Sequence, residues 1–142
     1  MGGMLENKVV VISGVGPALG TTLARRCAEE GADVVLAART VERLEDVAKQ
    51  VADLGRRAVA IGTDITDEGQ VDNLVKQTLD AYGKVDVLIN NAFKVPSMKP
   101  FANTSFDHIR ETLELTVLGA LRMIQGFTPA LVEANGSVVN VN

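Results

Sequence analysis

The chain has 142 residues, 46% hydrophobic and 23% charged, with a formal net charge of -4 at pH 7. This is a one-domain length with enough apolar surface to offset the entropy of ordering, which excludes a disordered chain. The acidic balance and the lack of a long basic stripe exclude a nucleic-acid partner; the pairs Arg25-Arg26 and Arg56-Arg57 read as solvated helix and loop surface.

Met1 to Glu6 has no basic stretch followed by an apolar one, so no signal peptide is expected, and Glu6 breaks the myristoylation pattern. No run reaches the ~18 apolar residues that span a bilayer, and no membrane partner is expected. Lys8 to Ser13 (KVVVIS) is a β-branched run that predicts a buried strand. Gly14 to Gly20 is a glycine-rich turn. A helix follows from Leu19 to Glu30, with Leu19, Leu23, Ala24, Cys27 and Ala28 on one stripe and Gly31 as its stop. Cys27, the single cysteine, reads as a small core hydrophobe, and one thiol fits a reduced, cytosolic setting.

Asp33 to Ala38 is the second strand and Val41 to Leu54 the second helix, closed by Gly55. Ala58 to Gly62 is the third strand. Thr66 is placed to cap the third helix, where Asp67 and Glu68 suit the positive end of the dipole. That helix carries Val71, Leu74, Val75, Thr78, Leu79 and Tyr82 on its apolar face. Val85 to Asn90 is the fourth strand, and Asn91 to Thr104 is a loop long enough to expect a functional role. A long helical pattern runs from Ser105 to about Val132, with a bend or break expected near Gly126 and Pro129. The lone His108 sits at its start, as a surface or capping residue, and a His-rich metal site is not expected. Ser137 to Val141 is a fifth strand.

Strands alternating with helices predict parallel strands joined by right-handed crossovers. The expected fold is α/β: a Rossmann-type doubly wound sheet of order 3-2-1-4-5, truncated after strand 5. A sixth strand is usual. Strand 5 is therefore expected as a sticky edge, covered by further protein or by a partner.

Ser13-Gly14-Val15-Gly16-Pro17-Ala18-Leu19-Gly20 lies between a strand and a helix, where unpaired amides and the helix dipole attract a pyrophosphate. The carboxylate that would bond an NAD ribose is missing from the end of strand 2. Ala38 stands there, followed by Arg39, whose guanidinium can pair with a 2′-phosphate. This favours NADP, with NAD possible.

The turn resembles the T-G-x-x-x-G-x-G pattern of the short-chain dehydrogenase/reductase family, with Ser13 for Thr and Ala18 for the middle Gly. Asp64-Ile65-Thr66-Asp67 is similar to its D-V-T-D, Asn90-Asn91-Ala92-Phe93 to its N-N-A-G with Phe93 for Gly, and Gly136 to Val141 to its fifth strand. The resemblance implies that Gly14, Gly16, Pro17, Ala18, Leu19 and Gly20 line the pyrophosphate and ribose. It implies that Asp64, beside Ile65, meets the adenine, and that Asn90 and Ala92 border the ribose near the nicotinamide. It further implies hydride exchange with a small alcohol or carbonyl substrate, and a homo-oligomer, often built through the fourth helix. Of the family's catalytic groups, only the asparagine position of N-x-x-G falls within the chain, as Thr116. The serine and Y-x-x-x-K do not: Tyr82, the one tyrosine, has Asp86 four residues on and reads as packing. The 142 residues alone are thus expected to be inactive. The alternatives are a non-catalytic nucleotide-binding or interaction module, and a domain for another phosphate ligand such as flavin. The loop residues Phe93, Val95, Met98 and Phe101 hint at an apolar substrate.

Overall fold

The computed structural model describes residues 2–141, so Met1 and Asn142, the ends of the readings above, lie outside the described residues. Five strands, β1 Val9–Ser13, β2 Asp33–Ala38, β3 Ala58–Gly62, β4 Val87–Asn90 and β5 Ser137–Asn140, form one parallel sheet in the order β3-β2-β1-β4-β5. The register pairs Val11 with Val35 on one side and Leu88 on the other. Helices α1 Leu19–Glu29, α2 Val41–Asp53 and α3 Glu68–Tyr82 make the crossovers.

Side chains alternate across a strand, so each face of the sheet has its own core. On one face Val10, Ile12, Val34 and Leu36 meet Ala24, Cys27 and Ala28 of α1 and Leu44, Val47 and Val51 of α2. Cys27 is a buried free thiol whose pKa burial raises. On the other face Val11, Val35 and Leu88 pack on Leu74 of α3 and on Met123 and Phe127. Asp67, not Thr66, caps α3: its carboxylate accepts from the Gln70 N–H at 3.0 Å, because Thr66 is held by Asp64. β4 starts at Val87 rather than Val85, although Val85 is fully buried.

The pairs Arg56 and Arg57 are not idle surface. The guanidinium of Arg57 donates twice to Asp33 Oδ2, at 3.0 and 2.7 Å, and Arg56 reaches Oδ1 at 2.9 Å. Arg57 also lies 4.8 Å over the ring of Tyr82, whose hydroxyl donates to the Val34 carbonyl at 3.4 Å. Tyr82 is thus a packing residue of the far end of the sheet.

The last helical stretch departs from expectation. α4 Phe106–Leu113 passes through a π-helical turn, Glu114–Gly119, into α5 Ala120–Glu133, which carries Pro129 without a break. Gly126 is there for close packing: a Cβ on it would meet Val75 Cγ2 at 3.2 Å across the α3–α5 contact. The irregularity sits instead at Thr116. The continuous helix Phe106–Glu133, 28 residues with a window of mean hydropathy 1.4, is long and apolar enough to cross a membrane by length and composition alone, although polar residues such as Glu114, Arg122 and Gln125 interrupt it and no run of ~18 apolar residues occurs. Its apolar residues run round the helix: Met123, Phe127, Ala130 and Leu131 enter the sheet core, while Leu113, Val117 and Leu121 are exposed. β5 is an exposed edge along its whole length.

Candidate functional site

A cleft of ≈ 510 Å³ opens at the carboxyl ends of β2, β1, β3 and β4. That is an ordinary ligand-site size, and the place is the one where open α/β sheets bind ligands. Its walls come from the turn after β1, from Arg39, Thr40 and Arg43 after β2, from Thr63 to Ile65 after β3, and from Asn91 to Phe93 after β4.

Three glycines in the first turn do different things. Gly14 has φ +67, and a Cβ on it would lie 2.5 Å from Ala92 Cα. A Cβ on Gly20 would lie 2.6 Å from Val15 Cα. Both are required by the fold itself. Gly16 is not: nothing comes nearer to its Cβ position than the Gly14 carbonyl at 4.0 Å, and the residue lines the cleft. The bare backbone there leaves room for a ligand to approach. Ala18 precedes α1 without capping it by a side chain, and Pro17 has no N–H. Among the described residues the N–H groups of Ala18, Leu19 and Gly20 have no backbone partner, while Thr21 and Thr22 already donate back to Gly16 and Ala18. Such a helix start fits a diphosphate: open donors, a positive dipole end and no side chain in the way.

The turn is locked to β4. Ser13 Oγ accepts the N–H groups of Asn91 and Ala92 at 3.1 and 3.2 Å, and Asn91 Nδ2 donates to the Gly14 carbonyl at 3.0 Å. Asn91 was passed over in the sequence reading. The tandem Asn90-Asn91 was its signal, since neighbours on a strand point to opposite sides. Asn90 points away from the cleft lining. Its Nδ2 donates to Asn140 Oδ1 at 2.9 Å, tying β4 to β5, and its Oδ1 is enclosed without a partner.

Asp64 and Ile65 line the cleft together with Arg39. Asp64 Oδ1 accepts from the Thr66 hydroxyl at 2.7 Å and from the Thr66 N–H at 2.9 Å. These bonds, side chain first, hold its carboxyl below the usual range against desolvation, and Arg39 adds to the effect. Asp64 is therefore an anion, with Oδ2 left over. The cleft has two cations at its β2 end, Arg39 and Arg43, the second unforeseen from sequence although it stands one helical turn after Arg39.

Thr116 lies in the π turn, and its hydroxyl accepts the N–H of Lys94 at 3.2 Å. It therefore holds the loop wall rather than bonding back to its own helix. Lys94 also pairs with Glu111. Leu19 is half exposed beside the turn, and Ala18, Leu19, Gly20 and Asn90 are not part of the cleft lining. Tyr82 is far from proton chemistry: burial first, and then the Asp33 charge, push its phenol up to about 12 against the two arginines.

The comparisons with known proteins agree with this geometry. The short chain dehydrogenase family matches residues 8–142. The fatty acyl-CoA reductase of Acinetobacter baylyi is 34% identical over 97% of this chain and 48% of its own length. An uncharacterized oxidoreductase of Staphylococcus aureus is 32% identical over 97% of this chain and 59% of its own. The chain thus spans about half the length of the curated relatives it matches. Among solved structures, NAD+-bound xylitol dehydrogenase superposes with a TM-score of 0.92 at 29% identity, covering 96% of this chain and 53% of that one. A 7α-hydroxysteroid dehydrogenase in complex with NADH and a 7-oxo bile acid gives 0.91 at 29% identity, covering 97% and 54%. Sheet order, glycine turn and family match converge: the chain belongs to the short chain dehydrogenase family.

Proposed function

We propose that this chain is the dinucleotide-holding part of an NAD(P)(H)-dependent oxidoreductase acting on a small alcohol or carbonyl compound, with NADP preferred over NAD. The observation that carries the reading is Gly16, bare on the cleft side and needed by no neighbouring protein atom. Two similar proteins, the xylitol and 7α-hydroxysteroid dehydrogenases, are described with bound NAD+ and NADH. The nicotinamide would supply the hydride donor or acceptor. This chain's residues do the holding. The open amides of Ala18 to Gly20, next in the chain to the lining residues Gly16 and Pro17, would face the diphosphate, Asp64 would take the adenine amino group, and Ala92 and Phe93 wall the β4 end. Arg39, with Arg43 beside it, supplies positive charge where a ribose 2′-phosphate would lie, and no carboxylate from β2 opposes it. Thr116 acts through the loop, by holding Lys94. A homo-oligomer and a reducing compartment belong to the same reading, on the exposed α4–α5 face and the single buried thiol.

Titration of the protein with NADP and NAD by calorimetry tests this. Gly16→Val should leave the melting temperature of the free protein unchanged and weaken both cofactors by about tenfold or more, since the side chain stands where the diphosphate lies. Arg39→Ala should weaken NADP by about 10–100-fold, the range for losing a bond to a charged group, and leave NAD nearly unchanged. Binding of neither cofactor would end the oxidoreductase reading. Equal losses for both cofactors in Arg39→Ala would end the NADP preference alone.

A further inference from the structure

The dinucleotide cleft adjoins a second cavity of ≈ 640 Å³, and five residues line both: Arg39, Asp64, Phe93, Val95 and Leu115. The second cavity takes no residue from the glycine turn after β1, so the five stand where the two spaces meet, apart from the diphosphate turn. Most polar groups of the second wall are matched to one another. Lys94 pairs with Glu111, Glu114 pairs with Arg122 at 2.6 Å, and the Thr66 hydroxyl donates to Asp64 Oδ1. Among the described residues, what stays open at the shared wall is Asp64 Oδ2, the Arg39 guanidinium and apolar surface.

Phe93 is the one aromatic ring of that surface. It is 58% exposed and its neighbour Val95 61%, and neither belongs to the two cores, whereas Leu115 packs against one of them. The N-N-A-G pattern has glycine at this place, so the ring is a feature of this chain and not of the common turn. A bare ring on the wall of a cleft offers a flat apolar face, which a planar ligand covers better than a chain-like one. Beside it stand an acceptor for an amino group, Asp64 Oδ2, and a cation for a phosphate, Arg39. Base, amino group and ribose phosphate occur together on the adenosine half of a dinucleotide. The oxidised nicotinamide ring is itself a cation, and Arg39 in the same wall disfavours it there.

We propose, resting on the dinucleotide reading above, that Phe93 is the platform on which the adenine base stacks while Asp64 accepts from its amino group. Stacking needs only a π-face, so the ring supplies affinity and does not choose between NADP and NAD. Its loss weakens both alike, unlike the loss of Arg39.

The 142-residue sequence contains no tryptophan, so Phe93→Trp places the one indole of the protein in this wall. Position 93 is exposed and outside both cores, and its variants keep the fold. The two halves of the cofactor serve as probes: 2′,5′-ADP should quench the indole fluorescence saturably, and nicotinamide mononucleotide should leave it unchanged. In calorimetry, Phe93→Ala should weaken 2′,5′-ADP, NADP and NAD each by about 5–100-fold, the worth of one stacked base. Quenching by nicotinamide mononucleotide, or by neither half, overturns the proposal. So does a Phe93→Ala protein that binds 2′,5′-ADP as tightly as the parent. In those cases a parent protein that still binds NADP leaves the dinucleotide reading standing, whereas a parent that binds neither cofactor ends both.

Discussion

Gly20 and Gly16 stand four residues apart in one turn, yet replacing them should have opposite consequences. A Cβ on Gly20 meets backbone at 2.6 and 2.7 Å, and backbone cannot step aside cheaply. Gly20→Ala should therefore lower stability by about 1–3 kcal/mol, the usual range for overpacking, read by urea denaturation. An unchanged midpoint would mean that α1 does not press on the turn as described. Asp33 offers a second residue-scale prediction. Burial works to raise its carboxyl, but the Arg57 hydrogen bonds and the Arg56 charge outweigh it and the pKa is lowered from 3.8. A carboxyl held lower in the folded state stabilises the fold above its unfolded value. That contribution is lost as pH falls through the folded value. Asp33→Asn should thus be less stable than the parent at pH 7, with the difference shrinking on acidification to pH 3. A difference that stays constant over this range would show that the lost contact is not the ionised one. Arg39 and Asp64 were legible in the sequence because motif position alone places them. The Asp33–Arg57 pair was not, because the two residues are 24 apart and only the β2–β3 register brings them together.

At the scale of elements, strand and helix identity followed from pattern, while irregularity did not. Gly126 and Pro129 signal a break by composition, yet the helix passes both, since Gly126 serves the contact with Val75 and Pro129 is exposed. The real irregularity, Glu114–Gly119, has no proline and only the closing glycine. What marks it is tertiary: a Cβ on Gly119 would meet Ile65 Cγ1 at 2.8 Å, so β3's loop presses on the helix there. π turns cluster at functional places, and this one aims the Thr116 hydroxyl at the Lys94 N–H. Thr116→Val should speed hydrogen exchange at the Lys94 amide by about 5–10-fold, the worth of roughly one hydrogen bond. Thr116→Ser should restore the parent rate. If Val and Ser behave alike, the hydroxyl does not hold the loop.

At the scale of the whole molecule, strand alternation was enough to predict the sheet order, because crossover handedness leaves few topologies. The outward face of the long helix was not legible, because apolar residues occur on all its sides and periodicity cannot say which side meets the sheet. The structure gives Met123 and Phe127 to the core and leaves Leu113, Val117 and Leu121 outside at 52%, 45% and 54% exposure. These three recur every four residues, so they form one stripe along α4 and α5. A lone exposed leucine needs no explanation, but a stripe beside a fully exposed parallel strand is a surface that water does not favour. A second copy presenting the same stripe would cover it by a two-fold contact, which closes without forming fibres. Leu121→Glu places like charges opposite one another across such an axis. Sedimentation should show the parent as an assembly and Leu121→Glu as a smaller species, with NADP affinity unchanged because Leu121 is not among the residues that line the cleft. An unchanged mass in the variant would mean that the stripe is covered by something other than a second copy.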